Sequence, residues 1–420
     1  MTRLHPLFRC GRANARAACR IAACLTAVAL VTSILASFAV WLRVSPGAAD
    51  WTVRVPVGIG TLRVPIEVSV YRLLDAVTDP SWARWLDARR LQTPLGPLDL
   101  RWNGDTLSAS CAPCRIAIGA LGDARVDVVS ATLTVRRDGA NRYRGEIVSG
   151  AVHGRWSAVA ARASLALRGD LEPTPIAALY ATLGDAVPEA RRARIDGTFA
   201  ARVALDLPAG RWSIDARSDD FAVEGLGTEA LRYAEAPAQC RPAAARVSRW
   251  LERAVIAAED QRFFEHQGFD PVEVQHALDG NQQRDRRRRG ASTLDQQLAR
   301  LLYTGDAPNV VRKARELLYA VEMDRTLGKA RVLGLYLRLA PWGEGACGSE
   351  GAARRYFGKS AAALDPLEAA WLAARLRAPD APRRAVTTER VVQVLRAMRG
   401  LPARERAAWI ERASSDARSD

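Results

Sequence analysis

Two carboxylates lie in short polar runs whose composition suits proton transfer next to a charged group. Glu259 opens Glu259-Asp260-Gln261-Arg262-Phe263-Phe264-Glu265-His266-Gln267-Gly268, and Glu316 closes Arg312-Lys313-Ala314-Arg315-Glu316. On a helix or its C-terminal turn Glu259 and Phe263 share a face, which sets a carboxylate beside apolar bulk. Such a carboxylate holds its proton more tightly and works as a base near neutrality. Arg312 and Lys313 precede Glu316 by four and three residues, so two cations and one carboxylate share a helix face. Standing alone, that pattern is an exposed salt-bridge ladder. Beside a working carboxylate it is a site for neutralising a phosphorylated leaving group. Between the two runs lies Gly290-Ala291-Ser292-Thr293-Leu294-Asp295-Gln296-Gln297-Leu298-Ala299-Arg300. Thr293 and Gln296 fit a capping box that opens a helix. Two adjacent glutamines exceed what a cap requires and offer amide donors and acceptors to a sugar or peptide.

The elements that must hold these residues are helical. Val247, Leu251, Val255 and Ala258 recur at three- and four-residue spacings, and the pattern continues to the end, with amphipathic helices at 391–398 and around 404–413. Upstream, from Trp51 to Glu235, the period is mostly two. Residues 126–135, 156–167 and 198–207 each read as a strand, with turns at Asp138-Gly139 and Pro208-Ala209-Gly210. Helical interruptions are expected at 71–77, 81–91 and 175–183. Gly154-Arg155-Trp156-Ser157 and Gly210-Arg211-Trp212-Ser213 hint at a repeated hairpin. The fold class is therefore multidomain, with a β-rich module at 50–236 that shows no catalytic constellation and an all-α domain at 240–415. A chain of 420 residues is long enough for two folded units.

The N-terminus sets the expected compartment. Five arginines between positions 3 and 20 precede an uncharged stretch from Ile21 to Leu42. As a helix it would be roughly 33 Å long, enough to cross a bilayer. The basic flank predicts a cytoplasmic tail at 1–20, a single transmembrane signal anchor at 21–43 and everything beyond on the far side. Ala48-Ala49 offers a cleavage site of small residues, but the apolar stretch exceeds the roughly 7–15-residue core of a cleaved signal peptide. Cys111, Cys114, Cys240 and Cys347 would then face an oxidising space. Cys111-Ala112-Pro113-Cys114 lacks the strand-to-helix context of a redox pair, leaving a structural disulfide or two thiols. The net charge of +15 suits nucleic acid, an anionic membrane or a phosphorylated substrate without choosing among them. Of 61 basic residues only Lys313, Lys329 and Lys359 are lysines, which makes each of them conspicuous.

The three motifs in this order, followed by residues 329–337 and 343–359, resemble the peptidoglycan glycosyltransferases of family 51 over about residues 244–415. The resemblance implies a lysozyme-like, two-lobed helical domain on the outer leaflet of the bacterial cytoplasmic membrane, with its ectodomain in the periplasm. There it would polymerise lipid II into glycan strands, with inversion and release of undecaprenyl pyrophosphate. Glu259 matches the general base that takes the proton of the acceptor 4-hydroxyl, and Glu316 the second carboxylate, beside the donor pyrophosphate. Arg312 and Lys313 would neutralise the leaving group, with Ser292, Thr293, Gln296, Gln297 and Arg300 on the donor side. Asp260, Phe263 and His266 would shape the acceptor side. Implied partners are lipid II, the growing glycan strand, membrane lipids and other cell-wall synthesis proteins, with no nucleic acid. A divalent cation, magnesium or manganese, assists some members of the family, but no metal-ligand cluster is legible in this sequence. No transpeptidase motif follows Lys359, so a monofunctional member with an extra β-rich module is expected.

The chain also departs from the family pattern. Arg300 stands for the usual lysine, Leu301 and Arg338 for asparagine, Gly334 for glutamate and Pro308 for a basic residue, while Cys347, Ser349 and Gly351 alter the last block. These changes leave room for weaker activity and for a competing reading, a transglycosylase-like scaffold that binds lipid-linked glycan while the β-rich module carries the function. A glycan hydrolase is the third reading, since paired carboxylates alone permit it.

Overall fold

The computed structural model describes residues 26, 28, 39, 41–59, 62–93, 95–117, 125–233, 246–283, 290–306, 310–343, 345–346, 348–382 and 385–416. The expected tail at 1–20 and most of the anchor at 21–43 lie outside them, as do the run of four arginines at 286–289 and Cys240, Pro308 and Cys347. Among the described residues no helix is long and apolar enough to cross a membrane.

The first part of the chain is built on strands. A hairpin of β1 (Thr52–Ile59) and β2 (Leu62–Ser69) leads into α1 (Val70–Thr78) and the short α2 (Pro80–Ala83). A nine-stranded antiparallel sheet follows. It comprises β3 (Arg90–Thr93), β4 (Gly96–Asn103), β5 (Thr106–Cys111), β8 (Ala131–Arg137), β9 (Arg142–Ser149), β10 (Val152–Ala161), β11 (Ser164–Pro175), β12 (Arg194–Leu207) and β13 (Arg211–Glu224). Strands β6 (Cys114–Ala117) and β7 (Arg125–Val128) pair separately, and Cys111 and Cys114 form a disulfide at the switch between the sheets.

Alternation gives this large sheet two unlike faces. On one, Tyr143, Ala158 and Ala160 are buried against Tyr71 and Leu74 of α1. On the other, the register sets Glu146, Arg155, Asp170, Arg202 and Asp215 side by side on successive strands. Opposite charges across strands stabilise the pairing, and this ladder lines an open cavity of about 940 Å³. Gly145 is required where it stands. A Cβ there would lie 1.8 Å from the Thr134 carbonyl, to which the Trp156 indole donates at 3.1 Å.

Three expectations change. The stretch 126–135 is not one strand: β7 ends at Val128, the Val129 amide donates to the Thr182 carbonyl at 2.9 Å, and β8 begins in another sheet. The stretch 156–167 is a hairpin, because the chain reverses at Arg162-Ala163, a turn without glycine or proline. The helix expected at 81–91 stops at a 3₁₀ turn, Arg84–Leu86, and the chain is extended again from Arg90.

A short α3 (Ile176–Ala181) lies between β11 and β12, and the second part is helical: α4 (Arg249–Glu259), α5 (Pro271–Gln283), α6 (Leu294–Ala299), α7 (Val310–Leu327), α8 (Lys329–Leu339), α9 (Gly348–Phe357), α10 (Pro366–Arg375), α11 (Thr388–Ala397) and α12 (Ala403–Asp416). Leu251 and Val255 of the expected apolar stripe are fully buried, and Val247 and Ala258 pack on the margin. Ile176, Tyr180, Val187, Val223 and Leu226 from the β-rich part belong to the same hydrophobic cluster as these helices. One hydrophobic cluster thus takes residues from both parts, beside two smaller clusters within the β-rich part.

Candidate active site

Glu259 is the last residue of α4, and the chain then turns sharply through Asp260. Its carboxylate borders a cavity of about 680 Å³ lined also by Ser292, Thr293, Gln297, Arg300, Arg377 and Arg390. Burial raises the proton affinity of Glu259, opposed by a hydrogen bond from Gln297 and by Arg390, Arg377 and Arg300; burial prevails and the pKa lies above the ordinary value. The Gln297 amide donates to Glu259 Oε2 at 3.1 Å, and the Tyr336 hydroxyl donates to Gln297 Oε1 at 2.8 Å. Tyr336 thereby fixes which end of the amide faces the carboxylate.

The second motif is divided between cap and site. Thr293 and Gln296 form the capping box of α6, so Gln296 is spent on the helix start. Thr293 also donates to the Gly268 carbonyl at 2.6 Å, tying the second motif to the end of the first. Ser292 accepts from Lys313 Nζ at 2.7 Å and so joins the cavity to the third motif. Arg300 begins a π-helical turn, Arg300–Thr304, and reaches the cavity wall.

Glu316 on α7 has no exposed side-chain surface. It is clasped by Arg312 and by Lys313, the latter at 2.8 Å from Oε2. A carboxylate held by two cations in this way aims them, and Lys313, which is partly exposed, faces Ser292.

Three residues assigned to the acceptor side are largely withdrawn into the core. Phe263 is fully buried, and His266 and Asp260 nearly so. Asp260 accepts from His266 Nε2 at 3.0 Å and from the Leu294 amide at 2.9 Å. His266 faces Lys329 Nζ at 3.3 Å through its other nitrogen. Lys329 also pairs with Asp295 at 3.1 Å and Asp324 at 2.8 Å and sits 4.6 Å above the Phe263 ring. Burial pushes the Asp295 carboxyl up to about 6 despite Lys329. Among the described residues Asp260, His266 and Asp295 form one group whose ligand atoms lie within 4.8 Å of one another. It does not fit a divalent cation, because the Lys329 ammonium already supplies the positive charge at two of the three. Of the residues that depart from the family pattern, Leu301 packs on the hydrophobic core and Arg338 donates to the Gly334 carbonyl at 3.3 Å.

The motifs alone did not single out Tyr336, Asp295, Arg377 and Arg390 for a role. Lys329 had only its rarity as a signal. Arg390 lies on α11, far along the chain, and reaches back to the Ala258 carbonyl at 3.1 Å.

Comparison with known proteins gives this arrangement a family. A model described as Transglycosylase matches residues 229–399. The biosynthetic peptidoglycan transglycosylase of Aromatoleum aromaticum is 46% identical over 134 residues, 32% of this chain and 58% of its own length. That of Escherichia coli O81 is 45% identical over 133 residues, 32% of this chain and 55% of its own length. This chain therefore spans little more than half of those two proteins. The counterpart in Thiobacillus denitrificans is 39% identical over 166 residues, 39% of this chain and 72% of its own length. With both carboxylate motifs inside the shared stretch, and with a relative matched over most of its length, the chain belongs to the family of biosynthetic peptidoglycan transglycosylases.

Proposed function

We propose that this protein is a peptidoglycan glycosyltransferase that joins lipid II units into glycan strands and releases undecaprenyl pyrophosphate. The observation that carries the reading is Glu259, a half-buried carboxylate of raised proton affinity on a cavity lined also by Ser292, which bonds Lys313 of the Arg312–Lys313 pair that clasps Glu316. A base at the incoming hydroxyl and fixed positive charge at the departing pyrophosphate are what glycosyl transfer from such a donor needs. In this reading Glu259 takes the proton of the acceptor 4-hydroxyl as the oxygen attacks the anomeric carbon with inversion. Arg312 and Lys313 then meet the charge that develops on the leaving oxygen, held in place by Glu316. Tyr336 and Gln297 keep an N–H aimed at Glu259, which supports its ionised form before proton transfer. The helical part is read as the lysozyme-like, two-lobed domain of residues 240–415.

The same reading places residues 1–20 in the cytoplasm, 21–43 across the inner membrane and the rest in the periplasm, beside membrane lipids and other cell-wall enzymes. The Cys111–Cys114 disulfide fits an oxidising compartment.

The test is glycan formation from labelled lipid II by full-length protein in detergent, with and without magnesium or manganese. Glu259→Gln should lower the rate by about 10²–10⁴-fold while lipid II still binds. Polymerisation by that variant at near the unmutated rate would falsify the assignment, and new reducing ends on preformed glycan would favour a hydrolase.

A further inference from the structure

On α7, Arg315, Tyr319, Glu322 and Thr326 recur at spacings of four, three and four residues, so they form one stripe along the helix. A stripe of that period facing a neighbouring layer is ordinarily apolar. This one is polar, yet Tyr319 and Glu322 are buried. All four side chains find partners in the β-rich part. Glu189, in the turn before β12, takes the Arg315 guanidinium in a fork, with Nη2 at 2.6 Å and Nε at 2.9 and 3.0 Å. Arg192 donates to the Tyr319 hydroxyl at 2.9 Å. The Leu226 amide donates to Glu322 at 2.8 Å, and the Thr228 and Thr326 hydroxyls meet at 2.9 Å. Tyr180 adds a bond from its hydroxyl to the Ala314 carbonyl at 2.9 Å.

The grip is placed where it matters for chemistry. Ala314 and Arg315 share a turn with Arg312 and Lys313, so whatever fixes the first pair fixes the direction of the second. Lys313 reaches Ser292 at 2.7 Å, a distance that a small rotation or slide of this turn would open. Glu189 itself is 4% exposed. Burial alone would raise its proton affinity, but the bonds from Arg315 outweigh this and hold it below the ordinary value, so it is ionised at neutral pH. A bidentate pair of this kind constrains direction as well as distance.

We propose that Glu189 is a positioning residue for the donor end of the site: the extra β-rich module, through the Glu189–Arg315 fork and the Tyr180 bond, sets the orientation of the first turns of α7 and so of Arg312 and Lys313. This rests on the glycosyltransferase reading and deepens it by giving the module a task in donor binding.

The experiment uses full-length protein in detergent and two readouts, steady-state polymerisation of lipid II and direct binding of undecaprenyl pyrophosphate. Glu189→Gln keeps the shape of the side chain and removes its charge. It should raise the KM for lipid II and the dissociation constant for undecaprenyl pyrophosphate by about five- to tenfold, with kcat within about twofold. Glu189→Gln combined with Arg315→Gln should be no worse than the single change, because both act on one fork. Tyr180→Phe removes a single bond without burying a lone charge. It should shift both constants the same way by a smaller factor, and it serves if Glu189→Gln does not fold. A merely structural contact would lower the active fraction, so kcat would fall while KM and pyrophosphate binding stayed unchanged; that pattern, or additive losses in the double variant, overturns the proposal. If the unmutated protein binds pyrophosphate but makes no polymer, the glycosyltransferase reading fails, and the binding constants alone decide the role of Glu189. If it binds none, both fail.

Discussion

Glu259 is set by opposed influences, and the balance can be tested one residue at a time. Burial raises its proton affinity, while the Gln297 amide and three arginines lower it. In the proposed role of general base Glu259 works only when ionised, so the acid limb of the pH profile of kcat/KM should lie above the ordinary carboxylate range. Gln297→Leu removes a group that favours the ionised form; the Glu259 pKa should rise and the acid limb move to higher pH. Tyr336→Phe should move it the same way by less, since the amide keeps its place but loses the partner that fixes its orientation. A limb unmoved in both variants would show that this pair does not govern the base. At this scale the sequence was informative where residues act within one helical turn. Glu316 with Arg312 and Lys313 follows from spacing alone, and two of the three lysines lie in charged networks around the motifs. Tyr336 and Arg390 were not legible, because their importance comes from chain segments that meet only in the folded protein.

The motifs work together because their elements are tied end to end. Gly268 closes the first motif with φ +83°, a left-handed conformation, and a Cβ there would lie 2.6 Å from the Ala320 carbonyl on α7. Its own carbonyl accepts from Thr293, the cap of α6. One glycine thus lets the first motif touch the helix of the third while holding the start of the second. Gly268→Ala should cost about 1–3 kcal/mol for the backbone conformation alone, and the contact with α7 adds to that. Urea unfolding would read it, and a loss near zero would mean that α7 gives way freely. The α6 cap was legible because a capping box is local, and so were the hairpin turns at Gly139 and Gly210. The reversal at Arg162-Ala163 was not, because neither residue marks a turn and the alternation runs straight through it.

At the scale of the whole molecule, the β-rich and helical parts share more than the sequence suggests. Composition and periodicity change near residue 240, which reads as a boundary, yet one hydrophobic cluster includes residues on both sides of it, among them Ile176, Val223, Leu251 and Ala413. The family match likewise begins at residue 229, within the segment that carries Leu231 and Arg232 against α8 and α7. The polar stripe on α7 was present in the sequence, but nothing there tells a stripe that faces water from one that faces a polar partner. Acid should act on this junction. The Glu189 pKa is lower in the folded protein than in the unfolded chain, so its contribution is full above the unfolded value and is lost as pH falls through the folded one. Removing residues 50–236 should do more. It would strip Arg315, Tyr319 and Glu322 of their partners together and expose the apolar residues that meet Val187, Val223 and Leu226. Where such groups stay buried without a partner, each costs about 1–3 kcal/mol, a large share of the roughly 5–15 kcal/mol that keeps a domain folded. The shortened protein, with its N-terminal segment joined directly to residue 237, should melt well below the full chain or aggregate. If it instead melts at the same temperature and binds undecaprenyl pyrophosphate equally well, the helical part is self-sufficient and the module's purpose lies away from α7.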